Sequence, residues 1–277
     1  MAQVKDVLES YPLSRDFVDF NRLNLQHYFW KEIFGYNINP KILERRRVLK
    51  VADVGTGTGT WLLDVSSQLG PATELVGFDS DISQVPPKEW LPTNVAVRSW
   101  DVFTEVPDDL IGQFDLVNLR LFSFVIQDDP TPVLRNVIKL LKPGGHLQWG
   151  EVDVSSMHID TVSPDLPTHC LSALWQETIP KDTRLQPSWA KILPMTFEKE
   201  GLLHVEADWQ RGKNHTAMAM HWCNLPIHEM VADRVRVVNA EKAAEIDELV
   251  LGAAAESRAG AIFGFEKVTV IGQKPAN

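Results

Sequence analysis

The chain has 277 residues, enough for one large α/β domain or a core domain with a modest lid, and its 44% hydrophobic content supports a sizeable core. Its net charge of −10 and pI of about 5.3 give a field that repels phosphate backbones, which argues against a nucleic-acid acceptor. Only Cys170 and Cys223 occur, far apart and in no CxxC spacing, which disfavours a disulfide framework or zinc site and suits a reducing compartment.

The N-terminus carries Lys5, Asp6, Glu9, Arg15 and Asp16, which leaves no apolar stretch for a signal peptide. No apolar run approaches the ~20 residues of a membrane-spanning helix, so the expectation is a cytoplasmic protein with no membrane partner. Residues 1–46 read as helices, with Phe17, Phe20, Leu23, Leu25, Tyr28, Phe29 and Phe34 at roughly helical spacing, and form a predicted N-terminal lid. Arg45-Arg46-Arg47 reads as a solvated strand entrance.

From residue 47 to about 153, strands and helices alternate. The predicted strands are Arg47–Gly55, Thr73–Asp79, Asn94–Asp101, Phe114–Leu121 and His146–Asp153, each bounded by Gly, Pro, Asn or Asp. Helices are predicted at Thr58–Leu69 and Thr131–Lys142, the second with Pro132 in its first turn and Gly144-Gly145 after its end. Such alternation implies βαβ crossovers and a mostly parallel sheet with helices on both faces. Residues 154–200 read as a helical insertion broken by Pro164, Pro167, Pro180, Pro187 and Pro194. A strand at Leu202–Trp209, two helices over 214–258 and a strand at Phe263–Gly272 complete a core placed at 47–277.

The segment Val51–Gly59 runs an apolar strand into Gly55, Gly57 and Gly59, with a helix directly after. Glycine there tolerates unusual φ and lets the backbone approach a ligand, while the first helical N–H groups face the site. A dinucleotide fingerprint needs glycine where Thr60 stands, and no Gly-Lys-Ser/Thr follows, so neither a nicotinamide site nor a phosphate-cradling loop fits. The loop suits an adenosyl ligand without a pyrophosphate. Asp79, followed by Ser80, ends the second strand; its carboxylate can accept from both ribose hydroxyls or cap the following turn. Asp101 ends the third strand and is either an acceptor for an adenine amino group, with Val102 or Trp100 covering the ring, or a turn residue. Loop, Asp79 and Asp101 together lie at the carboxyl ends of three successive strands, where open α/β sheets bind ligands.

Val51–Gly59, Gly77–Ser80, Trp100–Asp101, Phe114–Arg120 and Leu140–Gly145 resemble the motif series of class I S-adenosylmethionine-dependent methyltransferases. The wording of Asp53–Trp61 and Leu140–Trp149 is similar to fungal secondary-metabolite methyltransferases. The resemblance covers residues 10–155 well and the rest loosely. It implies a Rossmann-like seven-stranded, mostly parallel sheet whose last strand is antiparallel and inserted beside the sixth. It also implies S-adenosyl-L-methionine as cofactor, with Asp53 near its ammonium, Asn118 near its methionine part, and Thr56 in the cradling loop. One departure is Ile82–Pro92, whose three prolines replace the usual helix after strand two.

The expected reaction is methyl transfer to an O, N or S atom of a small-molecule acceptor; the alternative is a fold relative that keeps the cofactor but catalyses cyclisation or dehydration. Alignment alone supplies much of such a rate, and a general base adds roughly 10²–10⁴-fold for a hydroxyl acceptor. Candidate catalytic residues are His27, within the helically spaced set Arg22, Gln26 and His27, and Glu151, which ends strand five beside Asp153; each also has a structural reading, as a satisfied histidine or as turn caps. Arg120 is a cofactor or acceptor contact or an ion-pair anchor. Trp149, Trp175, Phe122, Trp222 and Met218 are candidate walls of an aromatic acceptor pocket or core residues. His221 and His228 lack a third ligand, so no metal is expected. The acceptor and the oligomeric state are not legible.

Overall fold

A computed structural model describes residues 13–45, 50–179 and 188–276, with the side chain of Arg45 outside the description. The basic triplet Arg45–Arg47, Pro180, Pro187 and the charged residues Lys5, Asp6 and Glu9 therefore lie wholly or in their side chains outside the described residues. Seven strands form one sheet: β1 (Lys50–Val54), β2 (Glu74–Asp79), β3 (Val95–Ser99), β4 (Phe114–Arg120), β5 (Leu141–Thr161), β6 (Leu203–Gln210) and β7 (Ala261–Gln273). Their spatial order is β3-β2-β1-β4-β5-β7-β6. The β1 to β5 ladder is parallel, while β7 runs antiparallel between β5 and β6. This is the sheet that the sequence motifs imply.

The central strands are buried on both faces, which is why they read as near-continuous apolar runs rather than alternating ones. Val51, Ala52, Leu116, Val117 and Leu119 are all 0% exposed. Helices α1 (Phe17–Phe34), α2 (Pro40–Arg45), α3 (Thr60–Leu69) and α4 (Thr131–Leu140) precede or connect these strands. Helix α4 opens with Pro132 in its first turn and buries Val133, Leu134, Val137 and Leu140 against the sheet. Each such side chain contributes about 1.5–3 kcal/mol when fully buried. Ile82–Pro92 forms two short 3₁₀ turns, at Ile82–Gln84 and Lys88–Trp90, where its prolines prevent a longer helix.

Three expectations change. Residues 154–161 are not the start of a helical insertion; they prolong β5, which bulges between Asp153 and His158 and then pairs again with β7 from Gly264 to Ala261. Ile159 and Thr161 are β-branched and the partner strand is long enough to continue the ladder, which outweighs local helix preference. The following segment is helical in α5 (His169–Thr178) and α6 (Leu193–Lys199). The C-terminal pair of helices is three: α7 (Asn214–Asn224), α8 (Pro226–Arg236) and α9 (Ala240–Ala259), with Pro226 opening α8 directly after α7. The aromatic face expected to anchor the N-terminal helix is also not the buried one. In α1 Phe17 is 78% and Tyr28 56% exposed, while Asp19, Arg22, Gln26, His27, Trp30 and Phe34 face inward.

Candidate cofactor cleft and adjoining cavity

The glycine loop closes on itself through backbone bonds. The amides of Gly55 and Thr56 both donate to Phe78 O, and the amide of Gly59 donates to Thr56 O. Gly55 and Gly57 sit at φ +71° and +53°, a region that L side chains rarely adopt. A Cβ on Gly55 would lie 2.6 Å from the Phe122 ring, so this position is closed by packing as well. At Gly57 the nearest atom to a built Cβ is Leu23 Cδ1 at 3.9 Å. That space belongs to a cleft, not to the core.

The cleft, about 620 Å³, is lined by Asp53, Gly55, Thr56, Gly57, Asp79, Ser80, Asp101, Val102, Asn118 and Arg120, which the sequence nominated. Gly59 does not line it and instead caps α3. Asp53 ends β1 only 4% exposed, accepting from Thr56 Oγ1 at 2.8 Å and from Asn118 Nδ2 at 2.8 Å. Burial pushes its pKa up to about 6, against the pull of those two bonds. Among the described residues no cation lies within ion-pair distance of it, so a ligand ammonium would find a desolvated carboxylate with spare lone pairs. Asn118 is fixed in turn by Gln148 Nε2, which donates to its Oδ1 at 3.0 Å.

Asp79 accepts from the Gly57 amide on Oδ2 at 2.9 Å and from the Asp81 amide on Oδ1 at 3.1 Å. Each oxygen keeps a lone pair for a diol. Ser80 is exposed at the rim. Asp101 is exposed too, and accepts from the Phe103 amide at 3.0 Å, which is the turn geometry. Val102 is 7% exposed and packs in the core cluster beside Trp100. These residues fit an adenosyl amino acid: a buried acid for an ammonium, a rim acid for a ribose and an apolar edge for a base.

Helix α1 covers the cleft. Asn24 Oδ1 accepts from Thr58 Oγ1 at 2.8 Å and also from Thr60 Oγ1, which ties the helix to the glycine loop. Leu23, Gln26 and His27 face the cleft. His27 is not a free base: Arg120 donates to its Nδ1 at 3.1 Å, and its Nε2 lies 3.1 Å from Asp64 Oδ2. Arg120 also lies over the Trp30 ring, and burial lowers its pKa to about 10 against the pull of Asp53 and Asp64.

Glu151, the second catalytic candidate, lines neither cavity. It is 0% exposed and its oxygens accept from the amides of Phe122 at 2.8 Å and Val152 at 3.0 Å and from Ser123 Oγ. Burial pushes its pKa up to about 7. Its carboxylate braces the turn after β4, where Leu121 sits at φ +64°, an uncommon value for a residue with a Cβ. Asp153 is likewise sealed, with Lys191 Nζ at 3.4 Å.

Leu121 also separates two cavities. The second, about 460 Å³, is lined by Trp175, Met218, His221, His228, Phe263 and Lys267 among others, and shares Leu23, Gln26, Leu121 and Phe124 with the cleft. Of the nominated aromatic walls, Trp175 and Met218 line it and Phe122 lines the cleft, whereas Trp149 is 0% exposed core and Trp222 lines neither. His221 accepts from the Phe263 amide on Nδ1 and lies 2.8 Å from Ser257 Oγ through Nε2. His228 Nδ1 lies 2.7 Å from Thr178 Oγ1, whose proton goes to Leu174 O; the ring therefore donates from Nδ1 and keeps an acceptor lone pair on Nε2. Burial drives both rings neutral, to about 4 for His221 and about 3 for His228. Sequence spacing did not reveal Asp19, Leu121 or Lys267; in Asp19 the signal was present, since it shares a helical face with Arg22 and Gln26.

Residues 52–147 match the family described as methyltransferase domain. The chain is 33% identical to the N-methyltransferase verN of Clonostachys rogersoniana over 154 residues, which is 54% of this chain and 53% of that protein. It is 33% identical to the methyltransferase grgD of a Penicillium species over 141 residues, 49% of this chain and 50% of that protein. The chain thus spans about half the length of the curated relatives it matches. Among solved structures it shares the fold of the cyclase SpnF, with a TM-score of 0.51 and 18% identity over 86% of this chain and 80% of that one. Motifs, sheet order and cleft converge with these likenesses over residues 52–147, the segment that matches a methyltransferase domain and resembles the class I, S-adenosylmethionine-dependent type.

Proposed function

We propose that the protein transfers a methyl group from S-adenosylmethionine to a nucleophilic O, N or S atom of a small molecule held in the second cavity. The observation that carries this reading is the shared wall: Leu23, Gln26, Leu121 and Phe124 border both cavities, so a molecule in the second meets the first at the Leu121 turn. S-adenosylmethionine supplies a sulfonium methyl, which bonds to the acceptor's lone pair while the C–S electron pair stays on sulfur and S-adenosylhomocysteine is released.

The chain's own residues bind, orient and exclude water. Asp53 takes the amino-acid ammonium, Asp79 the ribose, and the Arg120 guanidinium, held by His27, stands beside Asp53 at the methionine end. Glu151 positions the Leu121 turn rather than moving a proton. Helix α1 acts as a lid that keeps water from the transfer. The acceptor's proton leaves to solvent, since His27 offers no lone pair and burial holds His228 against protonation. The naming of a relative as an N-methyltransferase favours an amine acceptor, but both cavity walls after residue 147 lie outside the matched segment.

The test is mass spectrometry of the full chain with S-adenosylmethionine and a panel of apolar amines, phenols and thiols. The expected outcome is a product heavier by one methyl group with stoichiometric S-adenosylhomocysteine. A product of unchanged or dehydrated mass would replace this reading with a non-methylating reaction.

A further inference from the structure

The second cavity contains a buried charge, that of Lys267, for which no side chain among the described residues is an ion-pair partner. Lys267 lies on β7 opposite Val152 of β5, two residues beyond Gly150, which pairs with Arg120 at the end of β4. The lysine therefore stands at the carboxyl edge of the sheet, level with the turn that divides the two cavities. It is 4% exposed and lines the second cavity. Among the described residues its Nζ makes one hydrogen bond, a long one of 3.3 Å to Phe265 O.

An ammonium has three donors, and leaving a buried charge without an opposite partner costs far more than a single carbonyl bond returns. The acids of the neighbourhood are engaged elsewhere. Glu266, next on the strand, pairs with Arg211 at 2.7 Å. Asp160 is with His158 at 3.1 Å, and Asp19 with Arg22 at 2.7 Å. The remaining titratable groups of the lining, His221 and His228, are neutral. Burial lowers the pKa of Lys267 to about 8, and no carboxylate offsets it. The same cavity is lined by the apolar and aromatic side chains of Trp175, Phe263, Phe265 and Val152.

We propose that Lys267 is the anchor for an anionic oxygen on an otherwise apolar, ring-bearing acceptor, so that the second cavity selects aromatic or polycyclic molecules carrying a carboxylate or an ionised phenol or enol. The proposal rests on the reading of this cavity as the acceptor site. An anion inside the cavity would give the ammonium charge-assisted bonds that no described carboxylate supplies. Aromatic walls then hold the body of the acceptor and the ammonium fixes its orientation relative to the Leu121 turn.

Two fluorescent probes with the same apolar body separate charge from greasiness: 1-anilinonaphthalene-8-sulfonate, and N-phenyl-1-naphthylamine, which lacks the sulfonate. Each is titrated into the full-length wild type, Lys267→Met and the cavity-filling Met218→Trp. The wild type should bind the sulfonate about tenfold or more tighter than the neutral probe, the size of one charge-assisted bond. Lys267→Met should lose that preference while binding the neutral probe within about twofold of wild type, and Met218→Trp should weaken both. Lys267→Met should also melt no lower than wild type, because a buried unpaired charge is removed. The proposal is overturned if Lys267→Met keeps the sulfonate preference, if it weakens both probes alike, or if Met218→Trp weakens neither. None of these outcomes depends on methyl transfer. A failed mass-shift assay with the probe pattern intact would overturn the transferase reading and leave the anion site standing.

Discussion

The guanidinium of Arg120 donates to Nδ1 of His27 across 3.1 Å, and the other nitrogen of the same ring faces Asp64 at 3.1 Å. Arginine has no lone pair, so Nδ1 must be the bare nitrogen and Nε2 must carry the proton it gives to Asp64. Both nitrogens are spent, and the ring positions Arg120 instead of taking a proton. His27→Ala should therefore weaken S-adenosylhomocysteine binding by roughly tenfold, the loss expected when a charged group loses a hydrogen bond, and leave the shape of the pH–rate profile unchanged. A fall in kcat of about 10²-fold or more together with loss of a limb of that profile would restore His27 as a base.

Neutral buried histidines also set the response to acid. His27 and His221 are held at about 4 and His228 at about 3, chiefly by burial, below the 6.5 of an exposed ring. Between those values the unfolded chain binds protons that the folded chain refuses, so the histidines' contribution to stability is complete above about 6.5 and is lost as pH falls toward 4. Asp53 and Glu151 act in the opposite sense. Their pKa values are raised to about 6 and about 7, so their part of the stability is complete below the ordinary carboxylate range and declines as pH rises through 6 to 7. The ring protons of His27, His221 and His228 should hold constant NMR shifts from about pH 8 to pH 5. A midpoint near 6.5 for any of them would contradict its placement.

Asp79→Ala removes the proposed ribose acceptor and also unpairs the Gly57 amide. Cofactor affinity should fall about tenfold or more, since a bond to a charged group contributes ~1.5–3 kcal/mol. Calorimetry with S-adenosylhomocysteine checks this, alongside a native circular dichroism spectrum. Unchanged affinity would make Asp79 a turn cap only.

Glu151→Ala should act on stability. The change leaves the amides of Phe122 and Val152 and the Ser123 hydroxyl without their acceptor inside the core. A buried donor left unsatisfied costs about 1–3 kcal/mol, so denaturant titration should show a loss of several kcal/mol. A midpoint within error of wild type would mean that water or a local shift replaces the carboxylate.

The cleft around the glycine loop was legible because its residues are local in sequence. Gly55, Gly57, Asp53 and Asp79 lie at strand ends, so an apolar run followed by glycine or an acid marks each one. The mostly parallel sheet followed from the alternation of strands and helices, and its antiparallel last strand from the family resemblance. The second cavity was legible only in Trp175 and Met218, because its walls come from α1, β5, α5, α7, α8 and β7, and only folding brings them together with Leu23 and Lys267. Lys267 was not singled out, because lysines are mostly exposed and nothing local marks this one as buried. Glu151 and His27 were nominated for their chemistry; in the structure Glu151 accepts from Phe122, Val152 and Ser123, and His27 lies between Arg120 and Asp64. Residues 154–161 were misread because β7, more than 90 residues downstream, supplies the ladder that makes them a strand.

The central claim is that the glycine loop cradles S-adenosylmethionine, and Gly57→Val tests it most directly. A side chain there meets no protein atom closer than 3.9 Å from its Cβ, so the fold should survive, but it enters the cleft and opposes a backbone at φ +53°. Isothermal titration calorimetry with S-adenosylhomocysteine should give one-to-one binding for wild type and no measurable heat for a natively folded Gly57→Val. Equal binding by the two proteins, or none by wild type, would contradict the account.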